Sequence, residues 1–109
     1  GGTSVLVGPK EIFKTVDWKT IEAEDPDVIA IFPCGFTVER TLKELKGSNG
    51  AGVLKKMRAT REGNCFVCDG NALFDRPGPR IVDSAELLAS LLHPPLFSYT
   101  DCYKAFRYT

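Results

Sequence analysis

Two short stretches of this chain are apolar at every position: Val28-Ile29-Ala30-Ile31-Phe32 and Cys65-Phe66-Val67-Cys68. A strand with no polar face is buried on both sides, as in a parallel sheet covered by helices. Both stretches are therefore expected as buried strands, the first opening at Asp27. Between and after them the spacing changes to a helical one. Val38, Leu42 and Leu45 share a face over 37–46, with Glu39 in the first turn, four residues before Lys43, and Gly47 as the stop. Leu87, Leu88, Leu91 and Leu92 make an apolar stripe over Ile81–Leu92, closed by His93-Pro94-Pro95. Asp83 and Glu86 have capping-box spacing, and a start as early as Pro79 is also open.

The remaining segments read more weakly. Asp17 caps an expected helix, with Val16 and Ile21 at the staple positions, and that helix must end before Asp25-Pro26. Val5-Leu6-Val7 reads as a short strand stopped by Gly8-Pro9. Ser48–Gly52 reads as a polar, glycine-rich connector, Val53–Arg58 as a short helical turn, and Arg61–Asn64 as a turn. Gly70–Arg80 carries two prolines and two glycines, a composition for a shaped loop. The aromatic tail from Leu96 to Thr109 is expected to pack back on the core, a helix being one form it could take.

Strand, loop and helix thus occur twice in that order, which is the βα unit of an α/β protein. The fold class expected is α/β, a small parallel-sheet lobe with flanking helices, three-layer and Rossmann-like, and truncated. In such sheets ligands lie outside the carboxyl ends of the strands. Here those ends lead into Pro33–Thr37 and Gly70–Arg80, the two segments that packing explains least.

Composition narrows the function. A chain of 109 residues, 43% of them hydrophobic, suits one domain over 1–109, with 96–109 as an extension packed on it. Fourteen basic and fourteen acidic side chains cancel, which argues against nucleic-acid binding driven by net charge. The charge is uneven: six acids and two lysines lie in 11–27, seven bases and three acids in 39–62. That pattern suits two solvated faces or a docking face for a charged partner. The longest apolar run is too short to cross a bilayer, so no membrane insertion is expected. Four cysteines at irregular spacing do not make a disulfide scaffold and mildly favour a reducing compartment.

The run Asp25-Pro26-Asp27-Val28-Ile29-Ala30-Ile31-Phe32-Pro33-Cys34-Gly35-Phe36, followed by Glu39-Arg40-Thr41, resembles a stretch of the class III periplasmic binding proteins of ABC importers, the cobalamin- and siderophore-type solute-binding proteins. Asp69-Gly70-Asn71-Ala72, then Asp75-Arg76-Pro77-Gly78-Pro79-Arg80 and a leucine helix ending in His93-Pro94, resembles a later part of the same lobe. Gly1-Gly2 and the helix with Trp18 also fit, so the resemblance spans roughly residues 1 to 95. It implies two α/β lobes joined by a rigid helix, with ligand held between them, and this chain as the C-terminal lobe lacking its first strand and helix. It implies as partners the N-terminal lobe of the same parent chain, an ABC permease and a small-molecule ligand, either cobalamin-like or a ferric chelate. The expected location is periplasmic or extracellular if that role holds, and cytoplasmic if it does not. No cofactor and no catalysis are implied. The tail beyond Pro95 departs from the family pattern.

Within the two loops the candidate ligand-binding residues are Cys34, Gly35, Phe36, Asn71, Phe74, Arg76 and Arg80. Phe36 and Phe74 can lie against a flat ligand face, or simply anchor their loops in the core. Arg76 and Arg80 can take a ligand carboxylate or phosphate, or pair with Asp75 or Asp83. Asn71 suits ligand amides or a loop turn. Cys34, between a buried strand and a helix start, is the one conceivable nucleophile. Its base would have to be His93, the single histidine, which sits at the far end of a twelve-residue helix, roughly 18 Å from the ligand edge. Cys65 and Cys68 have redox spacing but lie on a strand, where they face opposite ways. Two rivals to the binding lobe therefore stand: an interaction or scaffold domain that keeps this fold without transport, and a thiol enzyme using Cys34.

Overall fold

The structure, a computed structural model, describes residues 2–6, 8, 10, 15–71, 81–94 and 106–108. It is a mixed α/β arrangement of helices around a small sheet that contains a two-strand parallel pair. Helix α1 spans Trp18–Glu24. The Asp17 carboxylate caps it, accepting from the Thr20 amide at 2.8 Å and the Thr20 hydroxyl at 2.6 Å. Asp25 closes the helix in a left-handed conformation (φ 44°), and Pro26 prevents its continuation.

Strand β1 is Ile29–Ile31, and helices α2 (Val38–Lys46), α3 (Gly50–Lys56) and α4 (Arg58–Arg61) follow it. Strand β2 (Cys65–Val67) returns parallel to β1, with Ile29 opposite Cys65 and Ile31 opposite Val67. The Ile29 amide donates to Asn64 O at 2.9 Å, and the Cys68 amide to Ile31 O at 2.8 Å. Helix α5 is Ile81–Leu92, the span that the leucine stripe indicates. Strand β3 (Phe106–Arg107) pairs antiparallel with β2, and the Tyr108 amide donates to Cys65 O at 2.7 Å.

The strand order β1-β2-β3 accounts for burial. The middle strand β2 is buried at all three positions, as its composition requires. The β1 residues are only half-buried and Phe32 is exposed; among the described residues β1 has a strand neighbour on one side only. The expectation of a first strand covered on both faces is corrected accordingly. Of the tail, residues 106–108 are described and pack on the core as strand and a buried Tyr108; the helix considered for it falls otherwise on residues outside the described ones.

One core unites Val38, Leu54, Met57, Cys65, Val67 and Tyr108, with Ile21, Ile29, Ile31, Leu42, Leu45 and Val53 packed against it. Ile29 and Ile31 share a sheet face by the two-residue strand period. Ala30, of opposite parity, lines a hollow with Leu88, Leu91 and Leu92 of α5. The expected connector at 48–52 turns helical from Gly50. Gly50 is buried under the Trp18 indole, and a Cβ there would lie 2.6 Å from Trp18 Cε2. Glycine therefore serves the contact between α1 and α3 rather than chain flexibility. Val5 and Leu6 form a bend, not the expected strand, and Leu6 takes φ 72°.

Arg58 ties the end of α1 to α4. Its guanidinium donates to Asp25 Oδ2 (2.9 Å), Asp25 O (3.0 Å), Asp27 Oδ1 (2.8 Å) and Glu62 Oε2 (3.3 Å). These carboxylates raise its already high affinity for a proton, the Asp25 hydrogen bond contributing most. No described helix is long and apolar enough to cross a membrane.

Candidate functional site

The carboxyl ends of β1 and β2 carry the two candidate loops. After β1 the chain turns at Pro33–Phe36, with the Phe36 amide donating to Pro33 O at 3.1 Å and Gly35 at φ 72°. A Cβ on Gly35 would meet nothing within 4 Å, so the turn opens to solvent, and Cys34 is exposed beside it. Thr37 then caps α2, its hydroxyl accepting from the Arg40 amide at 3.3 Å. After β2 come Asp69, Gly70 and Asn71.

The two loops interlock through backbone. Gly70 is buried against Pro33, and a Cβ at position 70 would overlap Pro33 O and lie 3.0 Å from Phe32 O. The Asn71 amide donates to Phe36 O at 3.4 Å. Four of the candidate residues, Cys34, Gly35, Phe36 and Asn71, thus belong to one patch. Phe74, Arg76 and Arg80 lie outside the described residues.

Phe36 is half-buried and has the Arg40 guanidinium carbon 3.9 Å from its ring centre. The ring also lines a hollow of about 250 Å³ with Ile31, Pro33, Thr41, Glu44 and Leu45. That volume falls just below the roughly 300–1,000 Å³ of small-molecule pockets, as suits one wall of a larger cleft. Helix α5 exposes two apolar residues at its start. Its last turns lie near the start of β1, where Leu92 lines a hollow with Val28 and Ala30. Its first residues, Ile81 and Val82, lie about 16 Å from that end along the helix axis. They are 62% and 59% exposed, far more than their chemistry favours.

A larger hollow, about 560 Å³, lies at the other end of the sheet, between Gly2–Leu6, the start of β1 and Leu92. It contains none of the candidate residues. Size alone would choose it; the convergence of turn, helix N-terminus and stacked cation at the strand exits favours the smaller one.

The cysteines divide sharply. Cys65 and Cys68 are fully buried, and burial pushes their thiols up, Cys68 to about 11. The Thr60 hydroxyl beside Cys65 offsets part of that rise without making a hydrogen bond of regular geometry. Both thiols stay protonated and inert at neutral pH. His93 follows the last turn of α5, its amide donating to Ala89 O, at the opposite end of that helix from Ile81.

Two features escape the sequence reading. Arg40 stands within the quoted motif but not among the candidate residues, although Phe36 four positions earlier is its natural stacking partner. The exposed pair Ile81 and Val82 carries no motif; Val82 falls off the leucine stripe, while Ile81, seven residues before Leu88, continues it. No protein-family model, curated protein sequence or solved structure matches the chain, so its functional reading rests on this geometry and on the resemblance in its motifs.

Proposed function

We propose that this chain is the ligand-binding lobe of a solute-binding-protein-like domain, three-layer and Rossmann-like, and that it takes a cobalamin-like or metal-chelate ligand without catalysing a reaction. The observation that carries this reading is the interlock of Gly70 with Pro33. It draws two loops into one surface at the strand exits, where α/β sheets hold their ligands. Cys34, Gly35, Phe36 and Asn71 form that surface, and Phe74, Arg76 and Arg80, which follow Asn71 in the sequence, are its further candidates. The partner lobe of the parent chain supplies the opposite wall, and an ABC permease reads the closed pair. The parent protein then works in the periplasm or outside the cell.

A second reading, an interaction or scaffold domain without transport, draws on the exposed Phe32, Ile81 and Val82, which suit a protein partner as well as a ligand rim. The thiol-enzyme reading has less support: Cys34 is exposed, but no described histidine stands near the strand exits.

Equilibrium dialysis of the chain against hydroxocobalamin, a gallium siderophore and gallium protoporphyrin tests the choice. The binding reading expects weak saturable uptake of one class, abolished by Phe36→Ala. Uptake of none, by a chain with native chemical shifts, would favour the scaffold domain.

A further inference from the structure

We propose that the ligand of this patch carries an anionic group, carboxylate or phosphate, which Arg40 binds from its seat on Phe36; this rests on the ligand-binding reading above. The starting observation is where the Arg40 charge goes. Arg40 lies in the first turn of α2, where the helix dipole is positive and a cation gains nothing from it. Glu44, one turn on at i+4, is within reach for an ion pair on the helix surface. No such pair forms, and Arg40 has no carboxylate partner among the described residues. Its guanidinium rests instead on the Phe36 ring at 3.9 Å.

A ring face attracts a cation but gives its N–H donors no oxygen to bond. The stack therefore fixes the guanidinium while leaving its planar fork of donors at the surface. Arg58 shows the contrast in the same chain, since four oxygens of Asp25, Asp27 and Glu62 take up its donors. Arg58 is a structural tie; Arg40 is a cation held in place beside the exposed Cys34-Gly35 turn. Stacking has already restricted the long side chain, so less freedom is lost when an anion arrives. A ligand with an apolar body against Phe36 and an acid at its rim satisfies both halves.

The test uses the whole chain and two probes that share one porphyrin body, gallium(III) protoporphyrin IX with its two propionates and the dimethyl ester that removes both carboxylate charges. Porphyrin fluorescence gives both affinities for the native chain, Arg40→Gln and Arg40→Lys. Arg40 is exposed and holds no ion pair among the described residues, so both variants should keep the native amide spectrum away from α2. The expected result is about tenfold tighter binding of the diacid by the native chain, lost in Arg40→Gln and partly kept in Arg40→Lys. Equal affinity for diacid and ester overturns the assignment to Arg40 and leaves the binding reading standing. A preference that survives in Arg40→Gln does the same. Binding of neither probe overturns the assignment to Arg40, and the binding reading falls with it only if hydroxocobalamin and the gallium siderophore are refused as well.

Discussion

The carbonyl oxygen of Pro33 occupies the space that a Cβ on Gly70 would need. The obstacle is backbone, so no side-chain rotation can clear it. Gly70→Ala should then part the two loops, at a cost of about 1–3 kcal/mol, the usual range for overpacking a filled site. Denaturant unfolding measures the loss. The Phe36 and Asn71 amides should move most, while the Tyr108 amide on the far side of β2 stays put.

Gly50 makes a comparable prediction with a competing term. Alanine for glycine inside a helix normally stabilises by about 1 kcal/mol. Here the added methyl would enter the Trp18 indole, so the indole must swing out and α1 must loosen from α3. Gly50→Ala is expected to lower stability despite its better helix propensity, with a red shift of the single tryptophan's fluorescence. Higher stability with unchanged emission would mean that Trp18 does not lie on Gly50.

The cap of α1 gives a pH dependence. Hydrogen bonds from the Thr20 hydroxyl and amide hold the Asp17 carboxyl below its ordinary value. A depressed value means that the folded state prefers the carboxylate. The stabilisation is full above the unfolded carboxyl's pKa and is lost as pH falls through the folded one. Stability should therefore decline on acidification below about pH 4, and Asp17→Asn should flatten that part of the curve relative to the native chain.

Thiol chemistry separates the cysteines. Iodoacetamide at neutral pH should label Cys34 in the folded chain, while Cys65 and Cys68 react only on unfolding, being buried with raised thiols. Peptide mapping reads each site. Labelling of Cys68 as fast as Cys34 would contradict the burial of β2.

These predictions also show what the residue pattern conveys and where it stops. Helix α5 and the cap at Asp17 are legible because spacing and capping act locally, within a few residues. The all-apolar β2 is legible because only a covered strand tolerates that composition. The same argument misjudges β1, because how far a strand is covered depends on strand order and on what packs over it, a property of the whole fold. Gly50 reads as a linker because nothing nearby announces the indole of Trp18, 32 positions away. The candidate patch is legible in its Pro33–Phe36 half, which sits between a strand and a helix. Arg40 is not, since a stacked cation differs from a solvated one only in its neighbours, and these appear once α2 is placed.

The most direct test of the account follows backbone amide shifts of the chain during titration with cobalamin, a gallium siderophore and gallium protoporphyrin. A ligand-binding lobe predicts shifts for one of them confined to Cys34–Phe36, Arg40 and Asn71, saturating at millimolar ligand or below. Shifts centred instead on the hollow near Val28 and Leu92, or none at millimolar concentration in a folded sample, would contradict it.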